Sequence, residues 1–369
     1  MSARIGIDYQ AAQGDRLTGL GIYTKYLVRS ILEITKSDPS YNIQFSLYQH
    51  PMPLRNTLER VFWENVTAPA RAKKDNVDLF HTPAFASPFL KPAKVIMTVH
   101  DLIGMLFHNQ KGLASTFYWG KWLPLTASRA DAVIACSEST KRDLVKKLQI
   151  PEKRITVAYP AGREEFGPHM PEEILSRVKR QNGVSNTFFL FVGTIEPRKN
   201  LERIVRVFLS LKLKKFLPAE CKLVVVGAAD FAGGKVYKKI VSKADYCWNS
   251  IVFPGYVSDS DLNALYCSAT ALIFPSLYEG FGIPVVEAMM CGCPVITSST
   301  SSLPEVGGDA ALLINPQEDS ELAEAILKVY LKPELRDQMR RRGFEQAKRF
   351  SWHQTAKITM DVYKKVLDS

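Results

Sequence analysis

Long apolar runs are the first thing missing. No stretch of the 369 residues approaches the length needed to span a bilayer, so no transmembrane helix is expected. Cysteine is sparse as well. Cys136, Cys221, Cys247, Cys267, Cys291 and Cys293 form no CxxC pair. That speaks against a disulfide framework and for a reduced, cytosolic protein. Cys291-Gly-Cys293 has no second pair of ligands nearby, so a zinc site is not expected. Acidic residues fall short of basic ones, 37 Asp+Glu against 48 Lys+Arg, for a net charge of +11. The excess leans toward the N-terminal half, where about the first 170 residues carry roughly +7. Such a balance suits an anionic substrate, an anionic membrane face or nucleic acid. No recognised nucleic-acid module accompanies it, so nucleic acid is not expected as a partner. The opening MSARIGIDYQ passes straight into a strand-like run, so no signal peptide is expected either.

What is present is alternation. RIGIDY (4–9), QFSLYQ (44–49), VDLFHT (77–82), KVIMTVHD (94–101), AVIACS (132–137) and ITVAYP (155–160) are short apolar runs ending in polar or turn residues. Amphipathic stretches such as 22–35 and 138–148 separate many of them. The second half repeats the theme with FFLFVG (188–193), CKLVVVG (221–227), IVFPGY (251–256), ALIFPS (271–276) and PVITSS (294–299). Buried parallel strands followed by helices read this way. The chain is long enough for two cores. The expected fold class is therefore α/β, with two Rossmann-like doubly wound domains. We place a first domain at 1–165, a linker at 166–185, where Pro, Gly and charge concentrate, and a second domain at 186–351.

In doubly wound folds ligands sit at the carboxyl ends of strands, and four stretches follow strand runs. TGLGIY (18–23) places glycines at a helix start, where N–H groups can approach a phosphate. It is not a dinucleotide fingerprint, because Thr24 stands where the third glycine belongs and the preceding strand ends too early. VGTIEPRKN (192–200) puts Arg198 and Lys199 near a helix N-terminus, where cations are disfavoured unless an anion is shared between them. TVHD (98–101) leaves His100 and Asp101 at a strand end. SLYEGFGIPVVEAM (276–289) carries two carboxylates, Glu279 and Glu287, around a Gly-Phe-Gly turn, with Pro284 suited to a first helical turn. That geometry places Glu287 about a turn into the helix. It argues against a close acid/base pair and against a shared metal. Asp259-Ser-Asp261 resembles a metal-binding DxD but reads as a helix N-cap. AGGKVY (232–237) lacks the spacing of a phosphate loop.

Taken together, TGLGIY, TVHD, ACSEST, VGTIEPRKN, LIFPSLYEGFGIPVVEAM and the closing FSWHQTA resemble the family 4 glycosyltransferases over nearly the whole chain. The resemblance implies a GT-B fold, two domains facing a central cleft, with the C-terminal helix 352–369 completing the first domain. It implies a nucleotide-sugar donor. Glu287 would bind its ribose, and Val257 would lie near its base. Arg198 and Lys199 would hold the diphosphate, and N–H groups of Phe281, Gly282 and Ile283 would meet phosphate or sugar hydroxyls. Glu279 would bind the transferred sugar, Gly21 would approach the phosphate, and His100 would face the sugar's 6-hydroxyl. The implied catalytic set is His100, Glu279, Arg198 and Lys199, with retention of configuration and no metal or other cofactor.

Similarity to bacterial O-antigen mannosyltransferases implies GDP-mannose as donor and a polyprenyl-diphosphate-linked saccharide as acceptor. The enzyme would then work at the cytoplasmic face of the inner membrane, beside other polysaccharide-assembly enzymes. The alternatives are another donor such as UDP-glucose, or a non-catalytic nucleotide-binding subunit. Aromatic and basic residues at 106–124 (Phe107, Lys111, Phe117, Tyr118, Trp119, Lys121, Trp122) and basic ones at 55–74 (Arg55, Arg60, Arg71, Lys73, Lys74) suit an anionic membrane surface. One departure stands out. Related members often carry Arg where this chain has Ile22, and Lys25 lies one turn further on.

Overall fold

The protein is described by a computed structural model covering residues 2–14, 17–52, 54, 57–85, 87–106, 118–184, 187–227 and 248–369. The chain divides into two compact units. The first comprises Met1–Pro160 with Phe350–Ser369, and the second Ala161–Arg349.

The first unit carries a six-stranded parallel sheet ordered β2-β1-β3-β4-β5-β6. Its strands are β1 (Ala3–Asp8), β2 (Ile43–Tyr48), β3 (Leu79–Thr82), β4 (Lys94–Val99), β5 (Ala132–Ala135) and β6 (Ile155–Val157). Both faces are covered, which is why the central strands read as unbroken apolar runs. All four residues of β3 and of β5 are buried. The C-terminal helix Trp352–Leu367 belongs to this unit. Trp352 stacks on Tyr26 at 5.6 Å, and the Tyr363 hydroxyl bonds His81 Nδ1 at 2.7 Å. Lys94 Nζ donates to the Val366 carbonyl at 2.8 Å, closing one orphan acceptor at the helix end.

The second unit has a parallel sheet ordered β12-β11-β10-β7-β8-β9. Its strands are β7 (Phe188–Val192), β8 (Lys222–Val226), β9 (Ile251–Gly255), β10 (Ala271–Phe274), β11 (Val295–Ser298) and β12 (Ala311–Ile314). Strand β7 starts the unit and lies at the middle of the sheet, between β8 and β10. The chain winds outward through β8 and β9, then returns to the other side of β7. The crevice between the loops after β7 and β10 is thus a topological switch point. Phe189, Phe191 and Phe208 anchor the core beneath it.

The stretch 166–185, expected as a linker, lies inside the second unit. Its Pro and Gly residues flank a helix, Glu172–Gln181, rather than break it. Val178 is buried on that helix, and Arg177 Nη2 meets Asp261 Oδ1 at 2.5 Å on the neighbouring helix Asp259–Ser268. Among the described residues no helix is long and apolar enough to cross a membrane. Arg55, Phe107, Lys111, Phe117, Cys247 and the AGGKVY segment lie outside the described residues.

Candidate active site

The loop after β7 turns on Gly193, at φ 150°, and winds through Pro197–Lys199 to Asn200 before the helix Leu201–Leu213 begins. Asn200 ties it down by donating to the carbonyls of Pro275 at 3.2 Å and Pro316 at 2.7 Å. Leu277 N–H donates to the Arg198 carbonyl at 2.8 Å, so the loops after β7 and β10 are locked to each other. A Cβ on Gly193 would meet Lys199 Cε at an ordinary contact distance of 3.4 Å, so it is the φ of 150° that favours glycine there.

Arg198 and Lys199 do share an anion, and that anion is the Glu279 carboxylate. Lys199 Nζ lies 2.7 Å and Arg198 Nη1 2.9 Å from Glu279 Oε1. Arg198 Nε is held by Glu196 Oε2 at 2.8 Å. Lys199 is 7% exposed and stands 4.6 Å over the Phe274 ring. Burial, the largest influence, pushes its pKa down, and Arg198 adds to this while Glu279 opposes it. For Glu279 burial alone would raise the pKa. The charges of Lys199 and Arg198, with hydrogen bonds from Lys199 and Ser276, outweigh it and hold the carboxyl below its ordinary value. The cluster is therefore two cations held by two carboxylates, Glu279 between them and Glu196 on Arg198, a formally balanced charge network at the switch point.

The turn after Glu279 leads into the helix Ile283–Met290 through Gly282, at φ 107°. Gly282 and Ile283 open that helix, so their N–H groups have no carbonyl one turn back. Ser301 Oγ accepts from Glu279 N–H at 3.0 Å, and Ser302 Oγ bonds the carbonyls of Glu279 and Phe281 at 3.0 and 2.9 Å. These serines follow β11 and carry no motif, so pattern reading passed over them. Phe281 is buried and acts as the turn's anchor. Val257, half-buried, follows β9 and the turn at Gly255.

Glu287 is separate from that cluster. Its Oε1 takes Arg163 Nη1 at 2.6 Å, and Tyr266 OH approaches Oε2 at 3.4 Å. Burial, stronger than the opposing Arg163 charge, raises its pKa to about 7. The two carboxylates are thus held in different ion-pair networks. Arg163 was not singled out by sequence, because 1–165 was placed in the first domain, whereas the second unit begins at Ala161. The DxD is a cap: Ser258 Oγ accepts from Asp261 N–H at 3.1 Å.

In the first unit Gly21 sits in the first turn of the helix Gly19–Ser37. A Cβ there would come 2.6 Å from the Ala11 carbonyl oxygen, so only glycine lets the turn Gln10–Ala12 approach. Ile22 is buried, and Lys25 is exposed with Nζ 5.6 Å from the Tyr26 ring. His100 follows β4. Its Nε2–H donates to the Pro83 carbonyl at 2.7 Å, and Tyr23 packs edge-on at 4.5 Å. Desolvation pushes its pKa down to about 4, so near neutral pH it is a neutral imidazole with Nδ1 as the acceptor nitrogen. Asp101 caps the next turn, accepting from Ile103 N–H at 2.8 Å.

Asp8 ends β1 under this site. Its Oδ1 accepts from Trp63 Nε1 and Gln10 N–H, both at 3.1 Å. Burial outweighs these bonds and raises its pKa to about 6. Stability supplied by the protonated form is complete below about pH 4 and is lost as pH rises through about 6. Asp8→Asn, neutral throughout, is expected to stabilise by about 2 kcal/mol near pH 8 and by almost nothing near pH 4. Thermal midpoints at the two pH values check this; an equal effect at both would refute it.

Residues 28–161 match the Glycosyltransferase Family 4 model, and residues 174–346 match Glycosyl transferases group 1. The chain belongs to glycosyltransferase family 4. The O-antigen chain mannosyltransferase B of Escherichia coli is 29% identical to it over 300 residues, 80% of this chain and 76% of that one. A serotype-specific mannosyltransferase, WbdA, of Escherichia coli is 29% identical over 288 residues, 75% of this chain; the match spans 34% of WbdA's length. Among solved structures, sucrose-phosphate synthase from Thermosynechococcus elongatus superposes with a TM-score of 0.77 at 18% identity, covering 99% of each chain. WaaG, a glycosyltransferase involved in lipopolysaccharide biosynthesis, does so at 0.71 and 16%, covering 97% of this chain and 99% of that one. The two parallel-sheet units of this glycosyltransferase are those of the GT-B fold.

Proposed function

We propose that this glycosyltransferase moves α-mannose from GDP-mannose, with retention, onto a polyprenyl-diphosphate-linked saccharide in lipopolysaccharide O-antigen synthesis. The observation that carries the transfer reading is the convergence of Lys199 and Arg198 at the switch point, beside the helix that opens at Ile283. Departure of a nucleoside diphosphate puts negative charge on its outer phosphate. Two cations and preorganised N–H groups of Gly282 and Ile283 stabilise that charge as it develops, so the reading requires no metal. Phe281 N–H completes the turn. Glu279 balances the cations and accepts hydroxyls of the transferred sugar. Glu287 accepts the ribose hydroxyls, Val257 borders the base, and Gly21 admits the phosphate from the first unit. His100 offers Nδ1 to the sugar's 6-hydroxyl. The choice of mannose follows the mannosyltransferases that this chain resembles.

Work at an anionic membrane surface is part of the proposal. Leu58 is 78%, Phe62 61% and Leu90 74% exposed in the first unit, with Arg60 and Lys91 close by in sequence and Arg129 Cζ 4.9 Å from the Phe89 ring. Exposed apolar side chains among cations suit a lipid interface. The test offers labelled GDP-mannose, UDP-glucose, UDP-GlcNAc and dTDP-rhamnose with a lipid-linked acceptor in neutral or anionic vesicles. Transfer from GDP-mannose alone, with protein sedimenting on anionic vesicles at low salt, is expected. Preference for a UDP-sugar would overturn the donor. Nucleotide binding without any transfer would favour a non-catalytic subunit.

A further inference from the structure

We propose that Arg163 is the positioning residue of the donor site, fixing one oxygen of Glu287 and leaving the other for the ribose hydroxyls. This rests on the reading of Glu287 as the ribose-binding carboxylate. The geometry is specific. Glu287 Oε1 takes the guanidinium at 2.6 Å and lies 3.4 Å from the Arg163 backbone N–H. Among the described residues Oε2 is approached by Tyr266 OH at 3.4 Å, and a carboxylate oxygen can accept more than one bond. The guanidinium is itself held. Its Cζ lies 5.0 Å from the Phe166 ring centroid, and Nε is 3.5 Å from Asp259 Oδ1.

Gly162 makes this approach possible. A Cβ at that position would lie 2.6 Å from Met290 Sδ and 3.0 Å from Glu287 Cγ, so any other residue would push the loop off the helix. Side-chain exposure is 15% for Arg163 and 2% for Glu287. A carboxylate so buried is ionised only with a cation against it. Diol recognition by acceptor pairs needs the ionised form, because a protonated oxygen loses acceptor capacity. Arg163 therefore controls how much of Glu287 is competent at neutral pH.

Other charged or titratable groups lie on the elements around Glu287, of which Asp259, Tyr266 and Cys291 act on it directly. Asp259 and Tyr266 come from the helix Asp259–Ser268, with Cys267 beside them. Cys291 and Cys293 follow its own helix. Arg340, from the helix Pro333–Ala347, donates to the Gly292 carbonyl at 3.1 Å. Asp259 also pairs with Arg163, at 3.5 Å, and its charge raises the Glu287 pKa, so a shift in titration reports Arg163 together with the Asp259 it holds.

The probe is GDP, titrated calorimetrically between about pH 6 and pH 9 against wild type, Arg163→Gln, Arg163→Lys and Glu287→Gln. Wild-type affinity is expected to fall as pH drops through about 7. In Arg163→Gln the midpoint is expected to rise by about one pH unit or more, giving roughly tenfold weaker binding near neutrality. Arg163→Lys keeps a cation without the planar fork and is expected to lie between the two. It also keeps the test alive should glutamine prevent folding, since its midpoint should still rise by about half a unit. Glu287→Gln is expected to bind weakly at every pH, without the titration. A midpoint unmoved in both Arg163 variants, with Glu287→Gln weakened, overturns the positioning role alone. Wild-type GDP binding by Glu287→Gln overturns the ribose assignment and the proposal with it.

Discussion

Lys199→Ala is expected to lower kcat/KM for transfer by roughly 10³-fold, with most of the loss in kcat. The lysine is buried over Phe274 and bonded to Glu279, so its charge sits where water screens it little. A cation there matters most when the leaving diphosphate carries its full charge, which is in the transition state. Arg198 remains on Glu279 Oε1 at 2.9 Å, so the carboxylate is not left unpaired and the fold survives. That distinguishes catalytic loss from collapse. Lys199→Arg is the informative partner, because it restores charge but not shape over the Phe274 ring. Steady-state kinetics with thermal midpoints measures both. Transfer within tenfold of wild type by Lys199→Ala would remove the lysine from the reaction.

Much of this arrangement was legible before the structure. FFLFV and ALIF announce buried parallel strands because a sheet covered on both faces needs apolar residues at every position. Ligands of doubly wound folds sit at the carboxyl ends of such strands, which is why Arg198, Lys199, Glu279 and His100 could be named as candidates from position. Strand order was not legible. Nothing in the composition of β7 says that it neighbours β10, yet that pairing brings Lys199 to Glu279 across 80 residues of chain. Long-range ion pairing was not legible for the same reason. That Glu279 lies between Arg198 and Lys199 follows from the sheet order and from nothing in the local sequence. Arg163 was hidden as well. AGREEFGP carries no motif and reads as the end of the first domain until Gly162 is seen against the helix carrying Glu287.

Gly282→Ala is expected to cut kcat/KM by roughly 10²-fold while leaving a folded, less stable protein. Gly282 holds φ 107° and ψ 53°, a conformation that L side chains rarely adopt. Strain of this kind costs about 1–3 kcal/mol. The added Cβ would also lie 2.8 Å from Leu303 Cδ2, and Leu303 is fully buried. Overpacking of a filled core costs about another 1–3 kcal/mol unless the turn moves. The turn is the softer element, so it moves, and with it the N–H groups of Gly282 and Ile283. Displacement by an ångström is enough for the activity loss, since those N–H groups act only when aligned with the leaving phosphate. Gly167→Ala is the control, because a Cβ there meets nothing within 4 Å. It is expected to change neither activity nor thermal midpoint. Should Gly282→Ala behave like Gly167→Ala, the turn tolerates a side chain and the N–H groups at 282 and 283 take no part in transfer. A lowered midpoint with unchanged kcat/KM would leave Gly282 as a folding requirement only, and would move the charge stabilisation wholly onto Lys199 and Arg198.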